Sequence, residues 1–105
     1  MNQNVTAIVE ILKTRPENEP LGLLTALNAS QMVFSDSENF VQFAVKGDRD
    51  VNKVKVSYDN GADLFNVEFF NINLRRKEMV RELGEVKGLY DDQLVQAIWR
   101  KCVLV

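Results

Sequence analysis

The chain contains 105 residues, of which 46% are hydrophobic and 27% are charged, and its formal net charge is −2. This composition is typical of one ordinary globular domain and does not favour an intrinsically disordered chain. No apolar run is long enough to span a membrane, and a single cysteine excludes an internal disulfide.

We expect a cytoplasmic protein with one domain that spans residues 1–105. Residues 1–15 lack the basic n-region of a secretory signal, and Glu10 interrupts their apolar part. A lone cysteine also suits a reducing compartment.

Two helices are predicted before any strand. Apolar residues recur with helical spacing between residues 5 and 14, and Asn4 is a natural N-cap; the apolar positions are Val5, Ile8, Val9 and Leu12. Pro16 disfavours helical geometry at the residue before it, so this helix ends there. Pro20 can start a short second helix within residues 21–29.

Four strands with one apolar face are predicted next. Two of them flank Asn60-Gly61, a pair typical of a type I′ turn, which would place Val56 opposite Phe65 and Val54 opposite Val67. The preceding segments, QMVFS and FVQFAVKG, extend the same alternation. Their apolar positions on this face are Met32, Phe34, Val41, Phe43 and Val45.

Two further helices are predicted after the strands. One spans residues 74–83, starts at an Asn73 N-cap and stops at Gly84. The other spans residues 91–102 and is acidic at its start and basic at its end, the order that the helix dipole favours. The predicted fold is therefore α+β. It is a two-layer sandwich in the order α-α-β-β-β-β-α-α, with helices covering the apolar face of a four-stranded antiparallel meander.

The second half of the chain resembles a group of small hypothetical proteins encoded by bacteriophages and other mobile elements. The first shared motif has the form D-L-Y-x-V-x-F and corresponds here to Asp63, Leu64, Phe65, Val67 and Phe69, with Phe65 in the place of the tyrosine. The second has the form G-[VI]-Y-x-D-x-L and is matched by Gly88, Leu89, Tyr90, Asp92 and Leu94. The resemblance implies a bacterial or phage setting and no particular mechanism, since that group has no assigned activity.

The residue types argue against an enzyme. The chain has no histidine and one cysteine, so neither a zinc site nor a Cys-His nucleophile can be assembled. No glycine-rich nucleotide motif occurs. Asp48 and Asp50 have a spacing that could offer oxygens to a hard cation, but turns commonly use aspartate for local hydrogen bonds. We expect no catalytic residue, metal or cofactor, and we expect Cys102 to be buried and unreactive.

The leading hypothesis is a non-enzymatic protein-interaction module, an accessory protein of a mobile element or phage. Phe40, Phe70 and Ile72 fall on the sheet face opposite the predicted core, which is more apolar than a solvated face should be. Either the protein's own helices or a second subunit would cover that face, so a homodimer is one expected arrangement. Asp48 and Asp50 would form an acidic rim around this surface.

The alternative hypothesis is a nucleic-acid-binding protein that uses Arg75, Lys77 and Arg81 on the basic helix predicted at residues 74–83. Glutamates are interleaved with these cations and the isoelectric point is near 5.1. A salt-bridged, solvated helix face therefore explains the basic cluster better than a phosphate track does. We expect no membrane partner.

Overall fold

The structure, a computed structural model, describes residues 1–46 and 50–103. In chain order the elements are α1 (Gln3–Leu12), α2 (Leu23–Ala26), β1 (Ser30–Ser35), β2 (Phe40–Ala44), β3 (Lys53–Asp59), β4 (Leu64–Ile72), β5 (Val80–Leu89) and α3 (Asp91–Cys102). The strands form one antiparallel sheet in the order β1-β2-β3-β4-β5. The predicted α+β class, with helices before and after an antiparallel sheet, is confirmed. Within the described ranges, no helix is long and apolar enough to cross a membrane.

The core lies between the helices and one face of the sheet, which we call the inner face. Helix α1 contacts β2 and β3, helix α3 contacts β4 and β5, and the two helices contact each other. The strand residues that are fully buried on this face are Val41, Phe43, Val54, Val56, Val67 and Phe69. The alternation of side chains predicted from the sequence is therefore confirmed for these strands. The opposite side of the sheet, which we call the outer face, is not the side on which α1 and α3 pack.

Helix α1 begins two residues earlier than the sequence predicts. Asn2, rather than Asn4, is the N-cap, and its Oδ1 accepts a hydrogen bond from the Val5 backbone N–H at 2.8 Å. Asn2 also donates from its backbone N–H to Asp36 Oδ1 at 2.6 Å and from Nδ2 to Asn39 Oδ1 at 2.8 Å. These bonds attach the start of α1 to the β1–β2 turn. Helix α2 is shorter than predicted, at four residues.

The β3–β4 hairpin differs from the predicted register by two residues. Val56 lies opposite Val67, and Tyr58 lies opposite Phe65. Asp59 closes the turn, because its Oδ1 accepts the backbone N–H of Gly61 at 2.9 Å, and the positive φ falls on Asp63 instead of the Asn-Gly pair. A shift of two residues returns every side chain to the same face, which is why the predicted core survives the wrong register.

The helix predicted at residues 74–83 is wrong, and so is the count of four strands. Residues 80–89 form β5, which pairs with β4, and residues 73–79 form the connecting loop. Asn73 builds this loop: its backbone N–H donates to the Met79 carbonyl at 2.8 Å, and its Oδ1 accepts the Arg75 N–H at 3.0 Å. Asn73 therefore stabilises a turn and does not cap a helix.

Two irregularities in its pairing with β4 explain why the sequence pattern did not predict strand β5. The register shifts between Phe69 and Phe70 and again between Phe65 and Val67, and Gly88 has a φ of 73° at the second shift. Each shift breaks the alternation of apolar and polar residues that marks a strand. Pairing with β5 supplies the backbone of the nine-residue β4 with hydrogen-bond partners, a gain that local helix propensity cannot offset.

Helix α3 spans Asp91–Cys102, which agrees with the predicted range. Its N-cap is Tyr90, whose backbone N–H donates to Gln93 Oε1 at 3.0 Å, while Asp91 and Asp92 form the first turn. The side chains that α3 buries completely are Leu94, Ile98 and Cys102.

Candidate functional site

The outer face is polar along its middle. One row across the sheet runs Gln42, Lys55, Glu68 and Glu85 on successive strands. Phe40 lies to one side of this row, with the Lys55 ammonium 4.4 Å from the centre of its ring. Phe70 lies to the other side, where it pairs with Lys53. The structure therefore brings Phe70 and Ile72 together on β4 but separates them from Phe40.

The structure describes only one of the two aspartates of the predicted acidic rim. Asp50 is exposed, and its backbone carbonyl accepts a hydrogen bond from the Asn71 side chain, which places it beside Ile72 at one end of the outer face. Asp48 lies outside the described residues.

Three carboxylates converge on the outer face, a grouping that the predicted helix at 74–83 could not reveal. One oxygen each of Glu68, Glu82 and Glu85 lies within 4.8 Å of the others. Lys55 pairs directly with Glu68 across the sheet, and Lys53 belongs to the next row. The Lys87 ammonium also lies 3.5 Å from Glu85 Oε1, so lysines on β3 and β5 offset part of the negative charge of this cluster, as expected on a solvated sheet face.

The free edge of β1 is the most exposed apolar segment in a strand of the sheet. Met32, Val33 and Phe34 have exposed fractions of 41%, 52% and 49%. Phe34 pairs with Val41 and therefore belongs to the inner face, but the helices lie over β2 to β5 and leave it uncovered. Sequence reasoning placed Met32 and Phe34 with the core residues. A signal was available, since SQMVFS contains no charged residue.

The predicted basic cluster lies on the β4–β5 hairpin. Arg75, Lys77 and Arg81 are exposed, as expected, but the prediction that they are salt-bridged is wrong. None of the three forms an ion pair within the part of the chain that the structure describes. Arg76 points back onto the hairpin, where its guanidinium donates to the Asn71 carbonyl at 2.9 Å. Leu74 is exposed beside these cations.

A cavity of about 380 Å³ lies between α1, the β3–β4 hairpin and the start of α3. Its apolar wall consists of Ala7, Ile11 and Phe65, and its polar rim contains two tyrosines and two aspartates: Tyr58, Tyr90, Asp63 and Asp91. Sequence reasoning missed this site because three segments distant in the chain form it. Asp63, Phe65 and Tyr90 do belong to the two motifs that carry the resemblance, and pairing of Phe65 with Leu89 brings those motifs together.

The tyrosine of the cavity that lies on β3 is held by a neighbouring carboxylate. The Tyr58 hydroxyl donates to Asp63 Oδ1, and this bond, together with burial and the nearby negative charge, raises the pKa of Tyr58 above its ordinary value. Tyr58 also contacts Phe65, with ring centres 5.4 Å apart and planes tilted by 55°.

Cys102 is buried, as predicted. Burial raises the pKa of its thiol to about 12, and the charge of Lys101 offsets only part of that effect. The thiolate needed for nucleophilic chemistry is therefore scarce at neutral pH.

No protein-family model, no curated protein and no solved structure matches this chain.

Proposed function

We propose that this chain is a non-enzymatic protein-interaction module that binds through the free edge of β1. The observation that supports the proposal is an uncharged, six-residue edge strand with three successive exposed apolar side chains, Met32, Val33 and Phe34. An edge strand offers unpaired backbone N–H and C=O groups to another strand, and exposed apolar side chains favour that addition. The phage or mobile-element setting implied by the resemblance is part of this proposal.

The two edges of the sheet differ in a way that favours β1. Strand β5 contains four charged residues in ten, Arg81, Glu82, Glu85 and Lys87, and both of its register shifts interrupt regular pairing. Charges and bulges are the devices by which proteins prevent pairing at an edge. Strand β1 has one register shift, near its start, and no charge.

The occupant that we propose is β1 of a second copy. Antiparallel pairing of two identical uncharged strands sets no like charges opposite each other, and it covers Phe34 of both copies on the inner face. A two-fold arrangement of this kind uses the same edge of both copies and is closed, so it stops at the dimer. Pairing of β1 with the charged β5 of another copy would instead leave free edges and continue into fibres.

Catalysis receives no support from the residues that could perform it. The chain has no histidine, and its only thiol is buried with a raised pKa. Carboxylates, tyrosines, lysines and the N-terminal amine remain for acid–base chemistry. Of the carboxylates, Glu68, Glu82 and Glu85 converge on an open sheet face, and Asp63 and Asp91 line the cavity beside α1 without a lysine or arginine among the other lining residues.

Sedimentation velocity over a wide range of protein concentrations tests the dimer. We expect the wild type to dimerise and Val33→Lys, which introduces a charge on the exposed edge, to be monomeric. Val80→Lys is the matched control, because Val80 is 58% exposed and lies on the other edge strand, opposite the outer-face residue Ile72. Circular dichroism and Trp99 fluorescence check that the variants remain folded.

The dimer proposal is overturned if the wild type is monomeric at the highest concentration. The free edge of β1 would then be a binding site for a strand of another protein. It is equally overturned if Val80→Lys dissociates the dimer and Val33→Lys does not.

A second candidate function, nucleic-acid binding, is favoured by one observation. Arg75, Lys77 and Arg81 are exposed on a single hairpin. Cations used in this way release counterions from phosphates, so binding should weaken steeply with salt. Fluorescence anisotropy with single- and double-stranded oligonucleotides at two salt concentrations tests nucleic-acid binding. The wild type is compared with a variant in which Arg75, Lys77 and Arg81 are all changed to Glu.

The matched control for that experiment changes three exposed cations elsewhere, Lys13, Arg15 and Lys46, to Glu. Loss of binding in both triple variants would indicate net charge alone, and no binding by the wild type at low salt would remove this candidate.

A further inference from the structure

The cavity between α1, the β3–β4 hairpin and α3 combines aromatic rings with carboxylates. Tyr58, Phe65 and Tyr90 contribute three rings, and Asp63 and Asp91 contribute two carboxylates. Its volume of about 380 Å³ is large enough for a small organic group. Aromatic faces and carboxylates attract the same kind of ligand, because both present negative electrostatic potential to it.

The charge of the lining selects among ligand classes. None of the nine residues that line the cavity is a lysine or arginine. The start of α3 would by itself favour an anion, but Asp91 and Asp92 already occupy its first turn and complement its dipole. An anion would therefore meet two carboxylates and no cation, whereas a cation would meet two carboxylates and no like charge.

The rim of the cavity is partly preorganised. The hydrogen bond from Tyr58 to Asp63 fixes one tyrosine against one carboxylate, and the contact with Phe65 holds the ring from its other side. Preorganised side chains reduce the ordering cost of binding.

We propose that this cavity binds an organic ammonium ion, supplied either by a free small amine or by the lysine side chain of a peptide. The apolar wall of Ala7, Ile11 and Phe65 would contact the carbon atoms of such a ligand, and the rings and carboxylates would surround its charge. An inorganic divalent cation fits less well, since the faces of aromatic rings and the apolar wall are not ligands for a hard cation.

This proposal is independent of the dimer. The cavity is formed by α1, the β3–β4 hairpin and the start of α3, and no residue of β1 lines it. A failure of one proposal therefore leaves the other untouched, and the Val33→Lys variant can serve as the protein in the binding experiment.

The first experiment is a titration followed by backbone amide NMR. Choline and N-acetyl-lysine amide are the two probes, and dimethylbutanol, the neutral carbon isostere of choline, is the control ligand. We expect saturable shifts centred on Tyr58, Asp63 and Tyr90 with at least one cation and none with the isostere. Binding of choline alone would identify a free small ammonium ion, and binding of the lysine amide alone would identify a peptide side chain.

A pair of isosteric variants locates the site. Asp91→Asn and Asp92→Asn each remove one negative charge from the first turn of α3, but only Asp91 lines this cavity. We expect Asp91→Asn to weaken binding about two- to fivefold, the range of an exposed ion pair, and Asp92→Asn to have the smaller effect. Tyr90→Ala should weaken binding by about two- to fivefold through loss of a cation–π contact.

Three results would overturn the proposal. The first is that neither cation shifts the amides around the cavity. The second is that the neutral isostere binds as well as choline does. The third is that Asp92→Asn weakens binding as much as Asp91→Asn.

Discussion

Two of the inner-face phenylalanines, Phe43 and Phe34, lie on neighbouring strands and should differ sharply in their contribution to stability. Phe43 on β2 is fully buried, whereas Phe34 on β1 is 49% exposed. Phe43→Ala removes a buried ring and leaves a cavity, which costs about 3–5 kcal/mol. Phe34→Ala loses only part of the burial free energy of a phenylalanine and leaves no closed cavity, so we expect a cost of about 1 kcal/mol.

Urea unfolding followed by fluorescence measures both costs. Trp99 is the only tryptophan and is buried on α3, so its emission reports on the packing of that helix. Both variants are made in the Val33→Lys background, which keeps any self-association equal. Since a domain of this length is stable by only about 5–15 kcal/mol, Phe43→Ala should lower the urea midpoint strongly.

Equal costs for the two variants would contradict the placement of the helices over β2 and not over β1. A cost of Phe43→Ala below about 1 kcal/mol would contradict its place in the core.

Three further predictions concern single groups. Cys102 should react with a thiol reagent only after unfolding, because burial raises its pKa to about 12; rapid reaction of the native protein would contradict this burial. NMR titration should show that Asp63→Asn lowers the pKa of Tyr58 toward 10.0. In the wild type, the stability that the Tyr58–Asp63 hydrogen bond adds is complete below pH 10.0 and is lost as the pH rises through the raised pKa of Tyr58 in the native state. In thermal unfolding, Gly61→Ala should reduce stability little, because its added carbon meets only Asp59 Oδ1, at 3.4 Å. Gly22→Ala should reduce stability more, because the added carbon would lie 2.4 Å from the Lys13 carbonyl oxygen. A larger loss of stability at Gly61 would instead support the type I′ turn.

Two parts of the candidate sites were within reach of the sequence. The exposure of Arg75, Lys77 and Arg81 followed from their charge, although they lie on a hairpin and not on a helix. The unprotected edge could have been recognised from the uncharged segment SQMVFS. The cavity could not, because no local pattern reports that Ile11, Phe65 and Tyr90 meet.

The sequence by itself determined the features that depend on neighbouring residues. Side chains alternate along β2, β3 and β4, so the apolar face of the sheet could be predicted even with the β3–β4 register wrong by two residues. Helix α3 could be predicted because its caps, charges and apolar stripe all lie within residues 90–102.

Only the tertiary structure decided the state of residues 73–89. The local pattern favours a helix over residues 74–83, but the free side of β4 offers a long ladder of backbone hydrogen bonds that only a strand can complete. The same long-range pairing placed β5 and its charges at one edge and left β1 uncovered at the other. By pairing Leu89 with Phe65, it also brought the next residue, Tyr90, to the cavity. Contacts between distant segments decide these features, and no window of neighbouring residues contains them.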